Sequence, residues 1–155
     1  MLIKITLFLT LVGYAFVISQ SFFYVLAMSD ATKKMQAAAY IETRKLIDHE
    51  LQHSGYLMYY ATLAACVALT AFSVVNPGGL LFISASIALL ALVADILIAL
   101  KGNIPLNRAI NEWTPTTYPS NWQQYRSRWF NIYHIRQGIN IAGFVILLAG
   151  LIFGV

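Results

Sequence analysis

One segment of the sequence has residue types and spacing that could support chemistry directly, His49-Glu50-Leu51-Gln52-His53. If this H-E-x-x-H segment is helical, its two imidazoles lie one turn apart on the same face, where they could share one metal ion. Glu50 beside them could polarise a water molecule, as in a zinc hydrolase, which also needs a third protein ligand. The pattern therefore predicts His49, Glu50 and His53 as catalytic residues, with the two histidines as metal ligands.

A third metal ligand could come from the last predicted helix. His53 comes shortly before Gly55 and His134 shortly before Gly138, and an apolar stretch follows each glycine, so the imidazoles should reach a similar membrane depth. The proposal depends on helical phase, because His134 falls nearly opposite Arg136. If Arg136 faces the bundle, the three-histidine site fails.

Other kinds of metal site could be built from some of the same residues. Glu50 and His53 form a Glu-x-x-His pair, but a di-iron bundle needs two such pairs and the chain has one. A mononuclear site with two histidines and a carboxylate stays open, as does haem held by two histidines. Histidines that merely lie at the lipid interface are the simpler interpretation. The sequence thus allows a single zinc, iron or copper ion, and equally no metal.

The elements that must position these residues are membrane-spanning helices. The chain has 155 residues, of which 59% are hydrophobic and 10% charged, more apolar character than an ordinary soluble domain needs. Four apolar stretches, at about residues 2–27, 55–75, 80–100 and 138–155, each approach the roughly 20 residues that cross a bilayer. We therefore predict an all-α fold, an integral membrane four-helix bundle that forms one domain over residues 1–155.

The polar segments at about residues 30–54 and 101–137 should lie on one side of the membrane. They would extend helices two and four into a polar cap. Nine of the ten Lys and Arg residues fall in these segments, so the positive-inside rule predicts a cytoplasmic cap and an external N-terminus in a bacterial inner membrane. Basic residues at membrane edges interact with lipid head groups, so the net charge of +4 gives no support for nucleic acid binding.

Local signals suggest where the helices end. Ser29-Asp30 could cap a new helix from about Ala31, and Lys101-Gly102-Asn103 could stop the third helix. The segment that follows contains three of the four prolines and predicts a loop with one short helix at about residues 106–113.

Asp95 is an ionisable residue about two turns inside the end of the third span. An unpaired charge there would cost several kcal/mol, so Asp95 needs a partner. Arg136, at the start of the last span, is the natural candidate, and Gln20 or Tyr24 could complete the network. An ion pair that fixes helix packing is as compatible with this pattern as a ligand-binding role.

The last third of the chain has a recognisable arrangement of Pro, Asn, Arg and Trp residues: Pro105-Leu106-Asn107, Trp113, Arg126-x-Arg128-Trp129 and Arg136. This arrangement resembles the anthrone oxygenase-like family of small four-span integral membrane proteins. The resemblance implies a four-span fold, oxygen insertion into a polycyclic phenol, and substrate contacts at Asn107, Arg128, Trp129 and Arg136. Where the family often has Asn or His, four residues after the Trp, this chain has Tyr133.

Together these observations predict a pocket at the cap-membrane boundary for a lipophilic, aromatic or quinone-like small molecule, which the protein could oxidise. Arg136 and Asn107 would orient the ligand's oxygens, and Trp129 and Tyr133 would stack on its rings. His49 or His53 would serve as proton acceptor or metal ligand. The full set of predicted substrate contacts is Gln20, Tyr24, Asp95, Asn107, Arg128, Trp129, Tyr133 and Arg136.

Two alternatives come from other classes of protein. The first is the zinc-dependent membrane hydrolase described above. The second is a non-catalytic membrane subunit, since Ala61, Ala65 and Ala68 form a small-residue face on which a partner helix or a second copy could pack.

Overall fold

The computed structural model describes residues 1–154, without the side chains of residues 52–54. The described chain is helical almost throughout, and two of its helices continue through a π-helical turn. The elements are α1 (Leu2–Phe23), a first π turn (Tyr24–Met28), α2 (Ser29–Lys34), α3 (Ala37–Ser73), α4 (Leu80–Ile98), a second π turn (Ala99–Asn103), α5 (Ile104–Asn111) and α6 (Trp122–Gly154).

Four stretches are long and apolar enough to cross a membrane: Leu2–Lys34, Gly55–Ser73, Leu80–Asn111 and Trp122–Gly154. The prediction of an all-α integral membrane bundle is therefore confirmed. Large apolar side chains such as Phe8, Phe16 and Leu90 are exposed on its outside, as expected for a surface solvated by lipid tails.

Small residues allow α4 and α6 to approach closely. A Cβ atom added to Gly150 would collide with the side chain of Ser84, and one added to Gly143 would lie 2.8 Å from Cβ of Ala91. Tyr14 on α1 donates a hydrogen bond to the backbone carbonyl of Ala88 on α4. Close contact at small residues, supplemented by an interhelical hydrogen bond, is how membrane bundles gain packing energy without a hydrophobic drive between helices.

The ends of two helices differ from the sequence-based prediction. Ser29 does not cap a new helix but continues the first one through a π turn, in which its N–H bonds to the carbonyl of Tyr24. Likewise, the third helix does not stop at Lys101–Asn103, because Ile104 N–H bonds to the carbonyl of Ala99 and α5 follows directly. A π turn widens the helix and interrupts its regular bonding, so the missing N–H of Pro105 in the first turn of α5 costs little there.

The polar halves of the helices form a folded cap. Its apolar centre consists of Tyr40, Ile41 and Ile110, with Met35, Trp113 and Trp122 packed against them. Arg126 closes the break between α2 and α3, since it donates to the carbonyl of Thr32 at 2.9 Å and lies 4.8 Å from the ring of Trp122. Burial raises the pKa of the Tyr40 hydroxyl, and the nearby guanidinium groups of Arg44 and Arg126 partly oppose this shift.

Candidate functional site

A cavity of about 240 Å³ lies where the cap meets the membrane-spanning part of the bundle. Every long helix contributes to its wall. Most of the predicted substrate contacts line it, namely Gln20, Tyr24, Asn107, Trp129, Tyr133 and Arg136. The other lining residues are Arg44, Ile47, Asp48, Leu51, Gly55, Tyr56, Tyr59, Tyr60, Ile96, Ala99, Leu100, Asn103, Ile104 and Gln137.

The exposed part of the described cavity wall lies on two elements. Its strongly exposed lining residues are Leu51, Tyr56, Tyr60 and Leu100, which lie on α3 and the second π turn. All but Leu51 belong to segments that can span a membrane. The exposed part of the wall is therefore formed by α3 and the end of the third span, mostly within segments long and apolar enough to cross a membrane.

The closed side of the cavity is aromatic. The rings of Trp129 and Tyr133, one turn apart on α6, are stacked with centroids 5.0 Å apart and an interplanar angle of 13°. The ring of Tyr24 lies 4.8 Å from that of Tyr133, and the guanidinium carbon of Arg44 lies 4.1 Å from the Trp129 ring centroid. Stacked rings beside a guanidinium form a surface that can receive a flat, electron-rich ligand.

The predicted ion pair between Asp95 and Arg136 is present beside the cavity. Asp95 is fully buried and accepts two hydrogen bonds from Arg136, at 2.6 Å from Nε and 3.3 Å from Nη2. Arg136 also donates to Asn103 at 3.0 Å and to the Tyr59 hydroxyl at 3.5 Å. Asn103 and Tyr59, rather than the expected Gln20 or Tyr24, complete the hydrogen bonding of Arg136.

The second π turn explains why Asn103 joins this network. In a regular α-helix, residues eight positions apart are rotated by about 80° from each other. The π turn at Ala99–Asn103 takes up about one extra residue, which brings Asn103 back to the face of Asp95. Asn103 then also donates from Nδ2 to the backbone carbonyl of Trp129 at 3.0 Å, so the turn ties α4 to α6.

Asn107 connects three helices at the cap side of the cavity. Its Oδ1 accepts from Arg44 Nη2 at 2.9 Å and from Trp129 Nε1 at 2.7 Å. Its Nδ2 donates to Asp48 at 2.8 Å, and Asp48 accepts a second bond from Asn111 at 2.7 Å. The expected contact of Asn107 with ligand oxygens stays a prediction, but its amide holds Arg44 and Trp129 in place.

Two predicted substrate contacts do not line the cavity. Arg128 lies on an exposed face of α6 beside Gln124 and Asn131, because it precedes Trp129 by one residue and so points about 100° away around the helix. Asp95 is fully buried and contacts Arg136, which lines the cavity.

Of the H-E-x-x-H segment, Leu51 lines the cavity, whereas His49 and Glu50 lie outside its wall. His49 is exposed, with Nδ1 3.3 Å from Oε1 of Glu50, which is exposed as well. The side chain of His53 lies outside the described residues, so its pairing with His49 stays a prediction. Within the described part of the chain, no three His, Cys, Asp or Glu side chains are grouped as metal ligands.

The three-histidine site required Arg136 to point away from the bundle. Arg136 instead faces the bundle through its pair with Asp95. His134 is exposed, and its ring packs against Phe130 and Tyr133 rather than lining the cavity. His134 therefore lies on the other side of α6 from Arg136, and its role as a third metal ligand stays a prediction.

Sequence reasoning missed Arg44 and Asp48, both of which line the cavity. The signal was present, because Arg44, Asp48, Gly55 and Tyr59 recur at the three-to-four-residue spacing of one helix face. That face continues into the buried residue Thr62. His49 and Glu50 lie on the neighbouring face of the same helix, where both are exposed.

Comparison of the chain with protein-family models, with curated proteins and with solved structures finds no match in any of the three. The resemblance to the anthrone oxygenase-like family therefore stays a prediction that rests on Asn107, Trp129 and Arg136, which line the cavity, and on Arg128, which does not.

Proposed function

We propose that this chain is an integral membrane protein that binds a lipophilic, aromatic or quinone-like small molecule in the cavity between cap and bilayer. The proposal is carried by one combination: exposed wall residues within candidate membrane spans, which we expect to face lipid, and a buried end of stacked aromatic rings and two arginines. In another protein, an apolar cavity of about 150 Å³ binds benzene. A cavity of about 240 Å³ leaves room for one or two rings.

Oxidation of the bound molecule, with dioxygen as oxidant, is the reaction that the family resemblance implies. Arg44 lines the cavity. A fixed positive group of this kind stabilises negative charge that develops on a ligand oxygen during reaction, and it acts strongly where water is excluded. The cytoplasmic placement of the cap and the bacterial inner membrane belong to the same proposal, and rest on the distribution of basic residues.

Gly55 offers a direct test because it lines the cavity and has free space beside it. Among the side chains that the structure describes, a Cβ atom added there meets only Cβ of Leu51, at 3.9 Å. Gly55→Phe should therefore fill part of the cavity, whereas Gly55→Ala should leave it open and favour the helix by about 0.5–1 kcal/mol. The assay is titration of 1,4-naphthoquinone into protein in lipid nanodiscs, read by quenching of tryptophan fluorescence.

We expect saturable quenching for the native chain and Gly55→Ala, and a large loss of affinity for Gly55→Phe with helical content unchanged. Quenching that rises linearly with the quinone, or equally in all three proteins, would mean that the quinone dissolves in lipid and that the cavity does not bind it.

A further inference from the structure

We propose that Arg44 and Tyr133, rather than Arg136, bind the oxygen of the ligand, and that this ligand carries a neutral hydrogen-bond acceptor such as a ketone instead of a carboxylate or phosphate. This inference rests on the proposed function and narrows it. It assigns a binding role to Arg44, which sequence patterns did not identify, and a structural role to Arg136.

Arg136 has little capacity left for a ligand. A guanidinium has five N–H donors, and Arg136 makes four hydrogen bonds, two to Asp95 and one each to Asn103 and Tyr59. Its charge is offset by the buried carboxylate of Asp95 at 2.6 Å. Arg136 is therefore a positioning residue that holds α4 against α6 beneath the site.

Arg44 and Tyr133 each have a hydrogen-bond donor that is available to a ligand. Both side chains line the cavity and are about 5% exposed. Among the described residues, nothing hydrogen-bonds the buried Arg44 Nε or the buried Tyr133 hydroxyl. Both atoms can donate, and a buried donor without an acceptor is costly. A ligand oxygen that accepts from either group would remove this cost.

The charges of the wall favour a neutral ligand. Arg136 is neutralised by Asp95. In the described chain no carboxylate lies within 4 Å of Arg44, but Asp48, one turn further along α3, shares the amide of Asn107 with it. The two arginines are thus matched by two carboxylates. An anionic head group would leave the site with one uncompensated negative charge, which is unfavourable where water is largely excluded.

Three probes with the same two-ring body test separately whether the ligand needs a hydrogen-bond acceptor and whether that acceptor must be neutral. They are 2-acetylnaphthalene, which has a neutral ketone, 2-naphthoate, which has a carboxylate, and 2-ethylnaphthalene, which has no oxygen. Affinities are measured by calorimetry in nanodiscs and corrected for the partition of each probe into lipid. The variants are Tyr133→Phe and Arg44→Lys, which keeps the charge of Arg44 but lacks Nε–H. Tyr118→Phe, at an exposed tyrosine outside the cavity, is the control.

We expect the ketone to bind about tenfold more tightly than 2-ethylnaphthalene, as for a hydrogen bond from a charged donor, and more tightly than 2-naphthoate. Tyr133→Phe and Arg44→Lys should each reduce the preference for the ketone by about two- to tenfold. The melting temperature of ligand-free Tyr133→Phe should equal or exceed that of the native chain, because the lost hydroxyl has no hydrogen-bond partner among the described residues.

Two results would overturn the inference while leaving the proposed function intact. One is 2-naphthoate binding as tightly as the ketone, and the other is an unchanged ketone preference in both variants. If none of the three probes binds saturably to the native chain, the proposed function fails, and this inference fails with it.

Discussion

The ion pair between Asp95 and Arg136 allows the sharpest stability prediction. Arg136→Ala would leave a fully buried carboxylate that has lost both of its hydrogen bonds from the guanidinium. Removing one partner of a buried pair typically costs about 3–5 kcal/mol, because the remaining charge has no compensation. Asp95→Asn should cost less, since Arg136 keeps Asn103 and Tyr59.

The assay is reversible unfolding in mixed micelles, followed by far-UV circular dichroism, which yields the free energy of unfolding. Arg128→Ala is the matched control, because it removes an exposed arginine from the same helix and should change stability by no more than about 0.5 kcal/mol. The double variant Asp95→Asn/Arg136→Gln removes both charges and should recover much of the stability that Arg136→Ala loses. If Arg136→Ala costs no more than Arg128→Ala, the pair does not stabilise the bundle and the reasoning is refuted.

Three further predictions concern other parts of the molecule. Asn140 is fully buried, and neither of its amide atoms has a partner in the described chain, so Asn140→Leu should raise the free energy of unfolding by about 1–3 kcal/mol, and a decrease in the same assay would contradict this. The double variant His49→Ala/His53→Ala should bind naphthoquinone like the native chain if the two histidines neither contact the ligand nor hold a metal. Elemental analysis that finds a stoichiometric metal only in the native chain would contradict this expectation. Thr116 is exposed in the cap, so Thr116→Cys in a Cys66→Ala background should react with a membrane-impermeant maleimide in inverted vesicles, whereas labelling in intact cells would place the cap outside.

The parts of the fold that follow from composition were predictable. Four apolar runs predict four spans because no other environment accepts so much apolar surface. The partner of Asp95 was also predictable, because a charge inside an apolar run must be neutralised and Arg136 lies at a matching depth. In both cases the structure avoids one large free-energy cost, which is exposed apolar surface for the spans and an unpaired charge for Asp95.

The two π turns could not be predicted, because they depend on small differences between competing backbone hydrogen bonds. Their consequence is large, since the second π turn rotates Asn103 into contact with Arg136 and carries the helix past Pro105. Arg44 was missed for another reason. The H-E-x-x-H motif indicates a site on one face of α3. The inward face, which carries Arg44, is determined by packing of α3 against α1 and α4.

We propose above that an aromatic lipophile binds between the stacked rings of α6 and the inward face of α3. The most direct measurement is photolabelling in native membranes with benzophenone, an aromatic ketone that inserts into nearby C–H bonds, followed by peptide mapping. We expect saturable labelling near Leu51 and Tyr133 that is displaced by excess 2-acetylnaphthalene and lost in Gly55→Phe. Labelling that is spread over lipid-facing residues such as Leu90 and Phe16, and that excess ligand does not displace, would contradict the proposal.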